Sequence, residues 1–246
     1  MLAANVRIGA LLVVGNEILS GKVADTNIHW LATELRGVGA DLRRVLVVPD
    51  EIDVIAAAVR ELADAYEFVI TTGGVGPTHD DVTIEAVAAA FGRRVVRHPE
   101  IEAIIRGFYG ARCTEGHLKM ADAPEGIELV STAEVRWPTM VLENVYVLPG
   151  LPEIMKIKFA IVRERFRGEP FHLRSVYVRL DEGNLKEHLD AIVAAFPAVA
   201  VGSYPRIGDP DFKVRVTLDA RDLTLVERAA AALVARLRPE DIVRTD

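Results

Sequence analysis

Apolar residues in the first part of the chain fall into short unbroken runs, separated by stretches in which they recur every three or four positions. Val6 to Val14 is a nearly continuous apolar run stopped by Gly15, the pattern of a strand buried on both faces of a parallel sheet. Downstream, Ile28, Leu31, Ala32 and Leu35 share one helical face, with Asp25 placed to cap the helix and Gly37 and Gly39 to end it. The valine-rich segment Leu42 to Val48 predicts a second strand, and Val54, Ala58, Val59 and Leu62 form the stripe of a helix over about 53–65. Phe68 to Thr72 predicts a third buried strand. After a glycine-rich turn, Ile84, Val87, Ala88 and Phe91 make another helical face, stopped by Gly92. Strands alternating with helices in this way predict right-handed crossovers, a parallel sheet and helices on both of its faces.

Residues 99–123 keep a helical pattern. Val141 to Leu148 predicts a strand leading into Pro149-Gly150-Leu151-Pro152, followed by a helix to about Phe166, and Gly168, Glu169 and Pro170 have the composition of a linker. The rhythm then changes to strand (Phe171 to Arg179), helix (Leu185 to Phe196), strand (Ala198 to Tyr204), strand (Phe212 to Leu218) and helix (Leu223 to Leu237). No internal repeat is visible. The expectation is two domains: residues 1–167, α/β, and residues 168–246, a small α+β domain with helices on one face of a mainly antiparallel sheet.

Composition narrows the function classes. Half of the 246 residues are apolar and 26% are charged, which excludes a mainly disordered chain. The 29 Lys and Arg against 36 Asp and Glu leave a net charge of −7, which disfavours nucleic acid as the main partner. A single cysteine, Cys113, excludes an intrachain disulfide and a multi-cysteine zinc site and fits a reducing compartment. The apolar run Ala10 to Val14 lacks a basic leader, and no stretch approaches the ~20 apolar residues of a membrane span. A soluble cytoplasmic protein with no membrane partner is expected.

The strongest local signal is Thr71-Thr72-Gly73-Gly74-Val75-Gly76-Pro77-Thr78-His79-Asp80-Asp81, set after a buried strand and before a helix. Its glycines let backbone approach a ligand, and the following helix N-terminus favours an anion such as a phosphate. A plain glycine turn with Asp80 or Asp81 as helix cap is the bland alternative. One cap needs one oxygen, however, and two carboxylates beside a phosphate call for a bridging cation of the Mg²⁺ type. Residues 15–22 fail as a P-loop because five residues separate Gly15 from Gly21 and Val23 replaces the hydroxyl residue after Lys22; His79 replaces the third glycine of a dinucleotide fingerprint. A second candidate loop, Gly15-Asn16-Glu17-Ile18-Leu19 followed by Asp25-Thr26-Asn27, would face the same crevice at the strands' carboxyl ends. There Glu17 reads as a metal ligand, a water-activating base or a solvated carboxylate, and Asp25 as a helix cap or a catalytic group. His79 is an acid/base or a turn residue, Lys119 a cation near phosphates or a solvated lysine, and Cys113 is inert.

These motifs together resemble the molybdopterin-binding fold family of the MoaB/MogA type, and within it the competence/damage-inducible CinA branch. The matching segments are 15–19, 25–27, 72–81 and Leu148-Pro149-Gly150-Leu151-Pro152-Glu153, in that order. The likeness covers residues 5–165 strongly, and the tail is similar to the small domain that follows in this branch. Arg136-Trp137-Pro138-Thr139 departs from the Ala-Pro-Gly-Phe-like segment usual in CinA-type chains. In that departure, in Asn144-Val145-Tyr146 and in Gly202-Ser203-Tyr204-Pro205, the chain is closer to the molybdopterin-binding-like domain of eukaryotic FAD synthases. Neither the synthase domain nor the deamidase domain of full-length CinA is expected among these residues.

The resemblance implies a three-layer α/β/α domain with a mostly parallel sheet and a nucleotide or pterin ligand. It also implies an activity: ADP-ribose pyrophosphatase in the CinA relatives, FAD hydrolysis to FMN and AMP in the other branch, both needing a divalent metal (Mg, Mn or Co) with potassium assisting. The leading expectation is thus a metal-dependent nucleotide pyrophosphatase. Asp80, Asp81 and Glu17 would hold the metal, Lys119 would join them as a catalytic group, and Asn16, Asp25, Thr26, Asn27, Thr72, Gly73, Gly74, Gly76, Thr78, Gly150, Pro152 and Glu153 would bind the ligand. Pterin binding or adenylyl transfer in molybdenum cofactor synthesis is one alternative. A regulatory binding module is another, although residues 168–246 lack the Gly-x-x-Gly loop of an RNA-clamping KH domain. A homo-oligomer is also expected.

Overall fold

The computed structural model describes residues 6–208 and 210–246. The chain divides into two units, one ending at Glu169 and the other running from Pro170 to Asp246.

In chain order the first unit has β1 (Arg7–Val14), α1 (Asn16–Leu19), α2 (Asn27–Gly37), β2 (Ala40–Val48), α3 (Ile52–Ala65), β3 (Phe68–Thr72) and α4 (Thr83–Ala90). It continues with β4 (Val95–Arg97), α5 (Pro99–Tyr109), α6 (Glu115–Lys119), β5 (Asp122–Pro124), β6 (Glu128–Val130), β7 (Thr139–Leu142), β8 (Val145–Leu148) and α7 (Pro152–Val162). The central sheet has the order β2-β1-β3-β8-β7-β6, parallel from β2 through β8 and antiparallel beyond. Alternation along β1 builds both cores at once. Ala10, Leu12 and Val14 pack with Ile55, Val59 and Leu62 of α3 and Val87 of α4, while Leu11 and Val13 pack with Leu31 and Leu35 of α2 and Phe159 of α7. Helices on both faces of one sheet give the expected three-layer α/β/α architecture.

Local details differ from the sequence expectation. Val141 to Leu148 is part of a hairpin rather than one strand, because Glu143 adopts a left-handed φ of 51° and turns the chain between β7 and β8. Residues 99–123 are not helical throughout: a 3₁₀ turn covers Gly110–Arg112, and Asp122–Pro124 leaves the helical pattern to pair with β4. The helix expected to reach Phe166 ends at Val162 and tightens into a 3₁₀ turn, which tucks the Phe166 ring against Phe68 at 4.6 Å and Tyr146 at 4.7 Å.

The second unit comprises β9 (His172–Val178), α8 (Glu182–Ala195), β10 (Ala200–Pro205), β11 (Val214–Ala220), α9 (Leu223–Arg236) and β12 (Ile242–Thr245). Its antiparallel sheet, ordered β10-β11-β9-β12, is the split βαβ arrangement of ferredoxin-like domains. Val176, Val178, Val214 and Val216 pack under Leu185 and Ile192 of α8 and Val226 and Leu233 of α9, so both helices cover one face.

Candidate functional site: the carboxyl edge of the parallel sheet

The parallel strands deliver their following loops to one edge. Gly15 follows β1, Pro49-Asp50 follows β2, Gly73-Gly74 follows β3 and Pro149-Gly150 follows β8. Asn27, at the start of α2, ties them together. It is 5% exposed, and its Nδ2 donates to Thr72 Oγ1 at 3.2 Å and to the Gly150 carbonyl at 2.8 Å. The Thr72 hydroxyl donates in turn to the Pro149 carbonyl at 3.0 Å. Because the Gly150 carbonyl can only accept, these contacts fix the orientation of the Asn27 amide. Its Oδ1 is left buried and without a protein partner, a position that a ligand donor would satisfy.

Asn27 lines a cavity of about 100 Å³ together with Glu17, Asp25, Thr26, Thr72, Gly73, Gly150 and Pro152. That volume suits a phosphate-sized group, so the rest of any nucleotide ligand must lie outside it. The first residues of α2 and α7 both border it, placing two helix N-termini against whatever it holds. Asp25 accepts the Ile28 N–H at 2.8 Å, which makes it a helix cap as well as part of the lining. Gly73 has φ 101°, and a Cβ there would fall on the Val14 carbonyl oxygen, so only glycine permits this approach of β3 to β1. Its N–H donates to the Leu148 carbonyl at 3.2 Å and is therefore not free for a phosphate. Gly74 (φ 64°) continues the turn, which Thr83 holds closed through its hydroxyl on the Gly73 carbonyl at 2.8 Å.

Farther along the loop, Thr78 organises both aspartates. Its N–H donates to Asp81 Oδ2 at 2.8 Å, and its hydroxyl lies 2.6 Å from Asp80 Oδ1 and 2.5 Å from Asp81 Oδ2. Lys119 Nζ donates to the carbonyls of Thr78 at 2.6 Å and Asp81 at 2.9 Å, which brings its charge to this loop. Hydrogen bonding from Thr78 holds the Asp80 carboxyl below its ordinary pKa, with further help from its own backbone N–H and from His79 and Lys119 nearby. Neither aspartate caps α4, whose N-cap is Val82 with no side-chain bond; the plain-cap alternative is not what the chain does. Gly76 leaves room for the Asp81 carboxylate, which would lie 2.6 Å from a Cβ there.

The expected residues therefore divide. Glu17 borders the cavity with Asp25, whereas Asp80 and Asp81 sit on Thr78, and among the described residues no three His, Cys, Asp or Glu side chains group as a metal cage. Asn16 and Glu153 are exposed and do not line the cavity, although the Asn16 N–H binds Asp50 Oδ2 at 2.7 Å and fixes the β1 loop against the β2 loop. His79 is almost fully exposed, 3.8 Å from Asp80.

Residues 10–167 match the family profile described as "Probable molybdopterin binding domain". The chain belongs to this family. Residues 170–246 of this molybdopterin-binding-domain protein match a second profile, "FAD synthase, middle domain". A protein of Archaeoglobus fulgidus is 35% identical over 89% of this chain and 93% of its own length. A Caenorhabditis elegans "Probable FAD synthase" is 29% identical over 91% of this chain but only 49% of that protein, so the chain spans about half of it. The crystal structure of CinA from Thermoplasma acidophilum, a protein of unknown function, is 30% identical and superposes with a TM-score of 0.60 over 65% of this chain and 99% of that one. Among the described residues no helix is long and apolar enough to cross a membrane.

Asp50 and Thr83 are structural parts of the site that the motifs did not reveal. Asp50 lies outside every motif segment, whereas Thr83, two residues after the paired aspartates, stood where a buried hydroxyl bracing the turn could have been sought.

Proposed function

We propose that this chain binds the diphosphate of an ADP-ribose- or FAD-like dinucleotide at the carboxyl edge of its parallel sheet and hydrolyses the P–O–P link. The supporting observation is a phosphate-sized cavity flanked by two helix starts and the glycine turn; the free acceptor of the orientation-locked Asn27 takes a sugar hydroxyl of the same ligand, since the diphosphate itself offers no donor. The cavity takes part of the diphosphate and the Gly74–Thr78 loop the remainder. Hydrolysis adds water across one bridging bond and releases two monophosphates, and Glu17, exposed at the cavity, accepts the proton of the attacking water.

Carboxylates beside a diphosphate need a counter-charge. Two carboxylates, completed by phosphate oxygens and water, match the way Mg²⁺ is usually held, so the Asp80–Asp81 pair fits such an ion without Glu17, which stays with the cavity. When bound, the ion would neutralise charge on the diphosphate. Lys119 fixes the loop that presents the pair.

The test is incubation of the purified chain with ADP-ribose, FAD and other dinucleotides, with Mg²⁺, Mn²⁺ or Co²⁺ and with or without potassium, followed by product identification. Monophosphate products that require a divalent metal are expected. Saturable binding of a pterin or a nucleotide without turnover across the panel would instead favour the ligand-binding role that the family's description suggests.

A further inference from the structure

The outer face of the small sheet carries a second, separate cluster. Val176, Val178, Val214 and Val216 point to the helices, so Tyr177 and Arg215, which alternate with them, point the other way. Register aligns the rest. Tyr204 pairs with Arg215, Arg215 with Tyr177, and Tyr177 with Arg244, so one row alternating tyrosine and arginine crosses all four strands.

The row is physically coupled. The Arg244 guanidinium lies 3.8 Å from the Tyr177 ring centre, and that of Arg215 lies 5.2 Å from the Tyr204 ring centre. Phe212 packs edge-on against Tyr177 at 4.9 Å. Stacking of this kind holds a guanidinium in one plane while its N–H groups stay available at the edge, the geometry that receives phosphate. These residues and Arg206 line a cavity of about 200 Å³. Among the described residues Arg206 and Arg215 make no ion pair, and Arg244 has only a 3.7 Å contact with Asp246. Three arginines gathered on one face of a chain with net charge −7 make a local anion site against the global field.

The aromatic part sets the size of the ligand. Tyr177 and Phe212 are buried beneath the arginines, and only Tyr204, 51% exposed, presents an open ring. Sheets of this topology that bind single-stranded RNA stack two or three successive bases on exposed aromatics. One open ring serves one base. We infer that the small domain holds a binding site for a mononucleotide, with the phosphate on Arg206, Arg215 and Arg244 and the base on Tyr204. The site is independent of the hydrolytic reading of the first domain.

The test uses the full chain labelled with ¹⁵N and titrated separately with AMP, adenosine, inorganic phosphate and a short oligoadenylate. AMP is expected to shift the amides of Tyr204, Arg206, Arg215 and Arg244 in a saturable way, with adenosine and phosphate each binding about tenfold or more weakly. Arg206→Gln, in an exposed loop, and Tyr204→Leu, on an exposed ring, should each weaken AMP by about tenfold. Amides at Asn27 and Gly73 report the first domain separately, so failure of one site is distinguishable from failure of the other. Absence of saturable shifts in the small domain, unchanged affinity in both variants, or phosphate binding as tightly as AMP would overturn the assignment. Oligoadenylate binding more tightly than AMP through the same residues would replace it with a nucleic-acid surface.

Discussion

Among single residues, Asp81 and Lys158 have testable electrostatics. Asp81 accepts the N–H of Thr78 and shares its hydroxyl with Asp80, and asparagine retains an oxygen that can accept the N–H. Asp81→Asn should therefore leave the melting temperature within a degree or two while removing one charge from the proposed metal pair. Hydrolysis is expected to fall by about a hundredfold or more and to need more metal, measured by product formation across a metal titration. Unchanged hydrolysis at every metal concentration would sink the metal role. Lys158 lies buried on α7 and donates to the carbonyls of Trp137 and Pro138; burial pushes its ammonium down to about 8. Between that value and its unfolded pKa near 10.4, the unfolded chain binds more protons than the folded one, so this residue adds stability as pH rises through the window. The gain is on the order of 3 kcal/mol. Thermal unfolding of the parent and of Lys158→Met at pH 7.5 and 10 checks it: the parent's melting temperature should rise relative to the variant's, and parallel curves would refute the burial effect.

At the scale of elements, the turn after β3 depends on glycine for geometry rather than chemistry. Gly73→Ala imposes a left-handed φ on a residue with a side chain and drives its methyl onto the Val14 carbonyl, at a cost of about 3 kcal/mol or more. Because that turn also borders the cavity, ligand affinity should fall together with the melting temperature; a variant as stable as the parent would show that the turn can relax. The buried strands, the helix stripes and the glycine turn were legible in the sequence because each rests on contiguous residues with a clear period. The β7–β8 hairpin was not: Glu143-Asn144 lacks the usual turn glycine, and apolar residues continue on both sides. β4, β5 and β12 were missed because three or four residues show no period, and their pairing is settled by distant partners. For the site, the motifs singled out loops that the parallel strands deliver to one edge, but not the interior of those loops. That Asn27 would be buried with a free acceptor, that Gly73 would spend its N–H on β8, and that the aspartates would bind Thr78 instead of capping α4 all depend on contacts across tens of residues or on turn geometry that no spacing encodes.

For the whole molecule, association and autonomy of the two units are both expected. Leu151, Ile154 and Ile157, at successive third positions along the start of α7, are each about half exposed, an apolar stripe that a second copy can cover. Light scattering should give a multiple of 26.9 kDa, reduced to that mass by Ile154→Lys with Ile157→Lys; a parent already at the monomer mass would remove the expectation. Autonomy follows from how the cores are built. The apolar cluster of the small unit draws all of its buried members from Val176 to Leu237, and the clusters of the first unit draw theirs from Ala10 to Phe166, with no residue in common. A sheet of four paired strands roofed by two helices, each with an aspartate at its N-cap, closes its own core without borrowed side chains. Residues 170–246 expressed alone should therefore give dispersed amide resonances and a single cooperative thermal transition, with a melting temperature close to one of those seen in the full chain. A collapsed spectrum or a non-cooperative melt would mean that the small sheet needs the first unit to fold, and the two cores would then have to be treated as one thermodynamic unit.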